Sequence, residues 1–121
     1  MRSHIRRHQA GFAAVALLVT VTLAGCGGHG KSGASDDAKA ACDALVRTKA
    51  QLTNPSDPDW RRLQAAGDLG VAAATESKKK YGDLLAPFSQ VYADALHTDD
   101  TKIYTDARAT LSACADHNLP H

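Results

Sequence analysis

Methionine occurs once, at position 1, and glutamate once, at position 76, in a chain of 121 residues. Without a second methionine or a Cys-x-x-Cys-His run, neither a Met/His axial pair nor a covalent haem attachment can be built. A lone Glu76 leaves no paired-glutamate motif for acid–base work, and no Gly-x-Ser-x-Gly elbow offers a nucleophile. Aromatic residues make up only 5% of the chain. Trp60, Phe88, Tyr92 and Tyr104 fall at helical spacing, which favours core or half-core positions over a ligand box. Basic residues exceed acidic ones by only one, 14 Lys+Arg against 13 Asp+Glu, so the electrostatic footprint of a nucleic-acid binder is missing. No segment shows the β-branched alternation of a strand. An enzyme, a cofactor and a nucleic-acid partner are therefore not expected.

What is present begins at the N-terminus. Residues 1–9 carry Arg2, Arg6 and Arg7 and no acid, and residues 10–22 are almost wholly apolar. As a helix this run is about 20 Å long, short of the roughly 30 Å of a bilayer core. It suits the central region of a signal peptide better than a permanent span. Leu23-Ala24-Gly25-Cys26 closes it.

Those four residues resemble the lipobox of bacterial lipoproteins, matching it at every position. The resemblance covers residues 1–26 and implies cleavage before Cys26, a thioether-linked diacylglycerol on its sulfur and N-acylation of the new terminus. Two or three acyl chains give stable attachment, at about 0.8 kcal/mol per buried CH₂. By lipobox and composition the chain resembles the small Ala- and Asp-rich lipoproteins exported by high-G+C Gram-positive bacteria. That likeness brings no activity with it.

Residues 1–25 thus read as signal peptide, 26–35 as lipidated cysteine and flexible Gly/Ser linker, and 36–121 as one folded domain. Cleavage removes three of the 14 Lys+Arg and none of the 13 acids, leaving 11 against 13, a net charge of −2. A domain this small has a modest core and commonly needs a staple. With Cys26 lipidated, Cys42 and Cys114 have one pairing available, and an exported protein meets an oxidising compartment. The alternative, a metal held by both thiolates, fits an oxidising compartment poorly.

From Asp36 onward the apolar residues recur at helical spacing. A first helix is expected over 36–52, with Ala38, Cys42, Leu45, Lys49 and Leu52 on one face. A second opens with Asp57 as N-cap and Pro58 at the first helical position and runs to about Lys80. Its stripe is Trp60, Leu63, Gly67, Val71 and Ala74, and Gly67 and Gly70 either break it or admit a neighbouring backbone. A third runs from Asp83 or Pro87 to His97, with Leu84, Phe88, Val91 and Ala95 inward. A fourth opens at Thr98 or Asp99, with Ile103, Ala107, Leu111 and Cys114 on one side. Short loops favour an all-α, up-down-up-down four-helix bundle, in which Cys42 and Cys114 reach the same height and can pair.

Two groups of side chains could hold a ligand. His97, Asp99 and Asp100 fall at the pole that also carries Asp57, Asp59 and Trp60, where a divalent cation could be bound. The simpler account is that these acids cap helices. His117, His121 and Asp116, with His29 in the linker, could hold a transition metal or could be exposed termini. Lys78, Lys79 and Lys80 close the second helix, complementing its C-terminus, and would return toward the lipid, where anionic headgroups attract them. The expected role is an envelope-associated interaction module with Trp60, His97, Asp99 and Asp100 at its distal pole and an envelope protein as partner. The other class considered is a small-ligand or metal-binding lipoprotein.

Overall fold

The computed structural model describes residues Gly33–His121. The signal-peptide and lipidation readings, with Cys26 and His29, lie outside the described residues. Four long helices form the domain: α1 (Gly33–Thr48), α2 (Asp57–Glu76), α4 (Leu85–Leu96) and α5 (Ile103–Asp116). The single-turn helix α3 (Lys78–Tyr81) and a 3-10 turn at Gly82–Leu84 connect α2 to α4. No strand occurs among the described residues.

The helices alternate in direction. Gly67 of α2 lies against Tyr92 of α4, while Gly70, one turn later, lies against Phe88, one turn earlier. Ser35 at the start of α1 bonds Tyr81 just beyond the end of α2, and Asp83 before α4 bonds His117 after α5. Each helix packs on the next, and α5 closes the ring against α1. The Cys42–Cys114 disulfide secures that closure, with Cα atoms 6.0 Å apart and both residues fully buried. The fold is the disulfide-stapled up-down-up-down bundle.

The α4 and α5 stripes are buried as expected, with Leu84, Phe88, Val91 and Ala95 facing Ile103, Ala107, Leu111 and Cys114. The α1 and α2 faces differ in detail. Lys49 is exposed and Thr48 is buried in its place, because the helix tightens into a 3-10 turn at Lys49–Gln51 and turns the lysine outward. The buried Thr48 hydroxyl donates to the Ala44 carbonyl at 2.7 Å, so no polar group is orphaned there. On α2 the buried face includes Ala66, Gly70 and Ala73, and Val71 moves to the rim.

Helix boundaries differ from the sequence reading for physical reasons. Gly33–Ser35, inside the segment read as linker, are already helical and belong to α1. The Glu76 carboxylate sits over Gly33, so close that a Cβ there would be 2.7 Å from Glu76 Oε2. The Ser35–Tyr81 bond of 3.0 Å fixes this end of α1 to the turn beyond α2. α2 begins one residue earlier than expected in its capping: Ser56, not Asp57, is the N-cap. The Ser56 amide donates to Asp59 Oδ2 at 2.9 Å and its hydroxyl to the same oxygen at 2.7 Å, the backward half of a capping box. The helix ends at Glu76 rather than Lys80, so the three lysines occupy the separate turn α3 and its start.

Gly67 and Gly70 do not break α2. A Cβ on Gly67 would lie 2.6 Å from Tyr92 Cβ and 2.9 Å from the Tyr92 backbone nitrogen, and one on Gly70 would overlap the Phe88 ring. Close approach of α4 explains both glycines. Both α4 and α5 end in Schellman motifs. Asp99 N–H reaches the Asp94 carbonyl at 2.8 Å around Thr98 (φ 47), and Leu119 N–H reaches the Cys114 carbonyl at 3.0 Å around Asn118 (φ 56).

Candidate functional site

The distal pole, formed by the α1–α2 and α4–α5 connections, carries the residues singled out for a partner or a cation. Trp60 is only 8% exposed and belongs to the core, so it contributes little to that surface. His97 ends α4 and is exposed, as is Asp100. Asp99 accepts hydrogen bonds from the Thr101 and Lys102 amides, both at 3.2 Å, and from the Thr101 hydroxyl at 2.7 Å. These bonds, the Thr101 hydroxyl first, hold the Asp99 carboxyl below the usual aspartate range. Asp59 is lowered as well, chiefly by the Ser56 amide. Both acids are engaged locally, Asp59 reaching back to Ser56 and Asp99 holding Thr101 and Lys102 ahead of α5. No group of three or more metal-ligating side chains converges among the described residues.

At the proximal pole, Lys78, Lys79 and Lys80 are exposed. Lys80 Nζ stands 5.0 Å over the ring of Tyr81, whose hydroxyl pairs with Ser35. Ser77 and Lys80 have the Ser-x-x-Lys spacing of some nucleophilic hydrolases, and the Lys80 ammonium is turned onto the Tyr81 ring and solvent. His117 Nε2 lies 2.8 and 2.9 Å from the two Asp83 oxygens, with its ring tilted on Tyr81. His121 instead bonds the Leu119 carbonyl and lies in a groove with Lys49 and Arg108 between α1 and α5. The two histidines therefore do not converge with Asp116 on one ion.

The polar centre that sequence reasoning missed lies between α4 and α5. Gln90, Thr101, Lys102, Thr105 and Asp106 line an open groove of about 420 Å³. Behind it Asp94 is 3% exposed. Gln90 Nε2 donates to Asp94 Oδ1 at 3.0 Å, while Oδ2 is buried without a partner. Burial pushes the Asp94 carboxyl up to about 6, and the Asp106 carboxyl within bonding reach adds to the rise. The one signal in the sequence is position: Asp94 adjoins Ala95 and lies one turn after Gln90 on a helix whose neighbouring positions are core.

Among the described residues no helix is long and apolar enough to cross a membrane. Fold and surface together define a disulfide-stapled helical bundle with two capped acids at one end and three lysines at the other. No protein-family model, curated protein or solved structure matches this chain.

Proposed function

We propose that the protein is a lipid-anchored module on the outer face of a cell membrane that engages another envelope protein, and is not an enzyme. The observation that carries this reading is the fully buried Cys42–Cys114 disulfide, which suits a protein folded in an oxidising compartment. The lipobox ending at Cys26 supplies the anchor. Cys26 precedes Gly33 by seven residues, a reach of no more than about 25 Å. The covalent chain thus ties the lipid to the pole bearing Lys78, Lys79 and Lys80, which anionic headgroups attract by about 1 kcal/mol per charge near the surface. The opposite pole, with exposed Leu96, His97 and Asp100, is then turned outward toward a partner.

Metabolic labelling with a fatty-acid analogue tests the anchor. Label on the wild-type protein and none on Cys26→Ala is the expected result, and equal labelling of both overturns it. Fluorophores at position 79 or 99, quenched by headgroup probes in anionic liposomes, test the orientation. Quenching at 79 alone supports it, whereas equal or reversed quenching removes it. A second reading, a small-ligand binder, draws on the polar groove lined by Gln90, Lys102 and Asp106. A compound that protects the Lys102 and Asp106 amides from hydrogen exchange would favour that reading.

A further inference from the structure

Asp94 poses a question that neither helix packing nor capping answers. Its Oδ2 is buried without a hydrogen-bond partner among the described residues, although almost all buried polar atoms in folded proteins have one. Its neighbours make matters worse for a charged carboxylate. From α5 the Asp106 carboxyl lies within hydrogen-bonding reach, and from the connecting turn Asp99 adds a second negative charge. On its own helix, Gln90 supplies one amide donor, to the other oxygen. From α2, packed on the opposite side of α4, the Gln64 amide goes to the Ala95 carbonyl rather than to Asp94. Lys102 lines the outer groove with Asp106, exposed to water.

We propose that Asp94 and Asp106 share one proton across the α4–α5 seam, forming a latch that holds when protonated and loosens on deprotonation. With the proton in place, the hydroxyl of one carboxyl donates to the other and the orphaned Oδ2 is satisfied. When the proton leaves to solvent, two carboxylates confront each other, Asp94 buried and Asp106 at the groove's inner edge. The seam they face lies between α4 and α5, and the polar groove opens along it. Relaxation of the pair therefore widens that groove and frees the first turn of α5.

The sign of the effect follows from linkage. The folded protein holds the Asp94 proton more tightly than the unfolded chain, whose aspartate has its ordinary value of 3.8, against about 6 when folded. The pair's contribution is complete below the unfolded value and is lost as the pH rises through the folded one. That difference in proton affinity is roughly 100-fold, which bounds the expected change in the unfolding constant.

Urea unfolding of the purified, disulfide-bonded protein between about pH 5 and pH 8 tests this. The wild-type midpoint should fall as the pH rises. Asp94→Asn should lose that dependence while remaining stable at high pH. A carbon-13 carboxyl titration of the wild-type protein gives an answer even if the variant fails to fold. Asp94 titrating near pH 6, and returning toward the usual range in Asp106→Asn, supports the latch. An Asp94 carboxyl that titrates as an ordinary aspartate overturns it, as does identical pH dependence in wild type and Asp94→Asn. Recovery of high-pH stability by calcium or magnesium, reversed by chelator, would assign the pair to a cation and equally overturn the shared proton.

Discussion

Gly70 of α2 lies flat against the ring of Phe88, leaving no room for even one further carbon. Phe88 is fully buried, so the ring cannot swing into solvent to make space. Gly70→Ala would gain up to about 1 kcal/mol of helix propensity. Overpacking costs about 1–3 kcal/mol and dominates. We expect a net loss in urea unfolding. Gly82 is the control: a Cβ added there would meet nothing within 4 Å, and its φ of −56° suits any residue. Gly82→Ala should raise stability by about 0.5–1 kcal/mol, chiefly by restricting the unfolded chain.

The disulfide closes the ring between α5 and α1 across 72 residues of sequence. In the chain-entropy treatment a crosslink of that span contributes roughly 4 kcal/mol. Replacing Cys42 and Cys114 together by alanine should lower stability by about 2–5 kcal/mol. Unfolding with and without reductant checks this, because the wild-type protein should approach the double variant only when reduced. A reduced protein as stable as the oxidised one would show that packing alone closes the bundle.

The helices most legible in the sequence are those whose inward residues are large. Leu84, Phe88 and Val91, then Ile103 and Leu111, outline a single stripe that hydropathy reveals at once. The α2 face is harder to read because its buried positions include Ala66, Gly70 and Ala73, whose contribution comes from closeness rather than hydrophobic area. Gly33 lies against Glu76 and Ser35 bonds Tyr81, contacts with other helices of which local propensity carries no information. Asp94 escapes a sequence reading for a similar reason. An aspartate one position from a buried alanine reads as surface until a second helix is laid over it.

Thr98 takes φ 47 at the end of α4, a left-handed geometry unfavourable for a β-branched residue. Asn118 fills the equivalent place after α5 without comparable cost, since asparagine tolerates that region. The Thr98 side chain is exposed, so shortening it removes no packing. Thr98→Gly should therefore stabilise the protein by about 0.5–1 kcal/mol, the strain relieved exceeding the added backbone entropy. Thermal unfolding measures it. A fall in midpoint would mean that the Thr98 side chain contributes more than its exposure indicates.

Acid should act on the molecule from one end. Asp59 opens α2 and Asp99 precedes α5, and both carboxyls are held below the ordinary aspartate range by hydrogen bonds to the charged form. For a lowered carboxyl the stabilisation is present above the unfolded value of 3.8 and is lost as the pH falls through the folded one. Both sites lie at the distal pole, whereas the Cys42–Cys114 bond lies toward the other end and does not titrate. Below about pH 4 the amides of the first turns of α2 and α5 should exchange with solvent sooner than those beside the disulfide. Asp59→Asn should weaken the start of α2 already at neutral pH and reduce its further loss in acid. Hydrogen exchange followed residue by residue would resolve the two ends, and uniform acid exchange along all four helices would refute a distal origin.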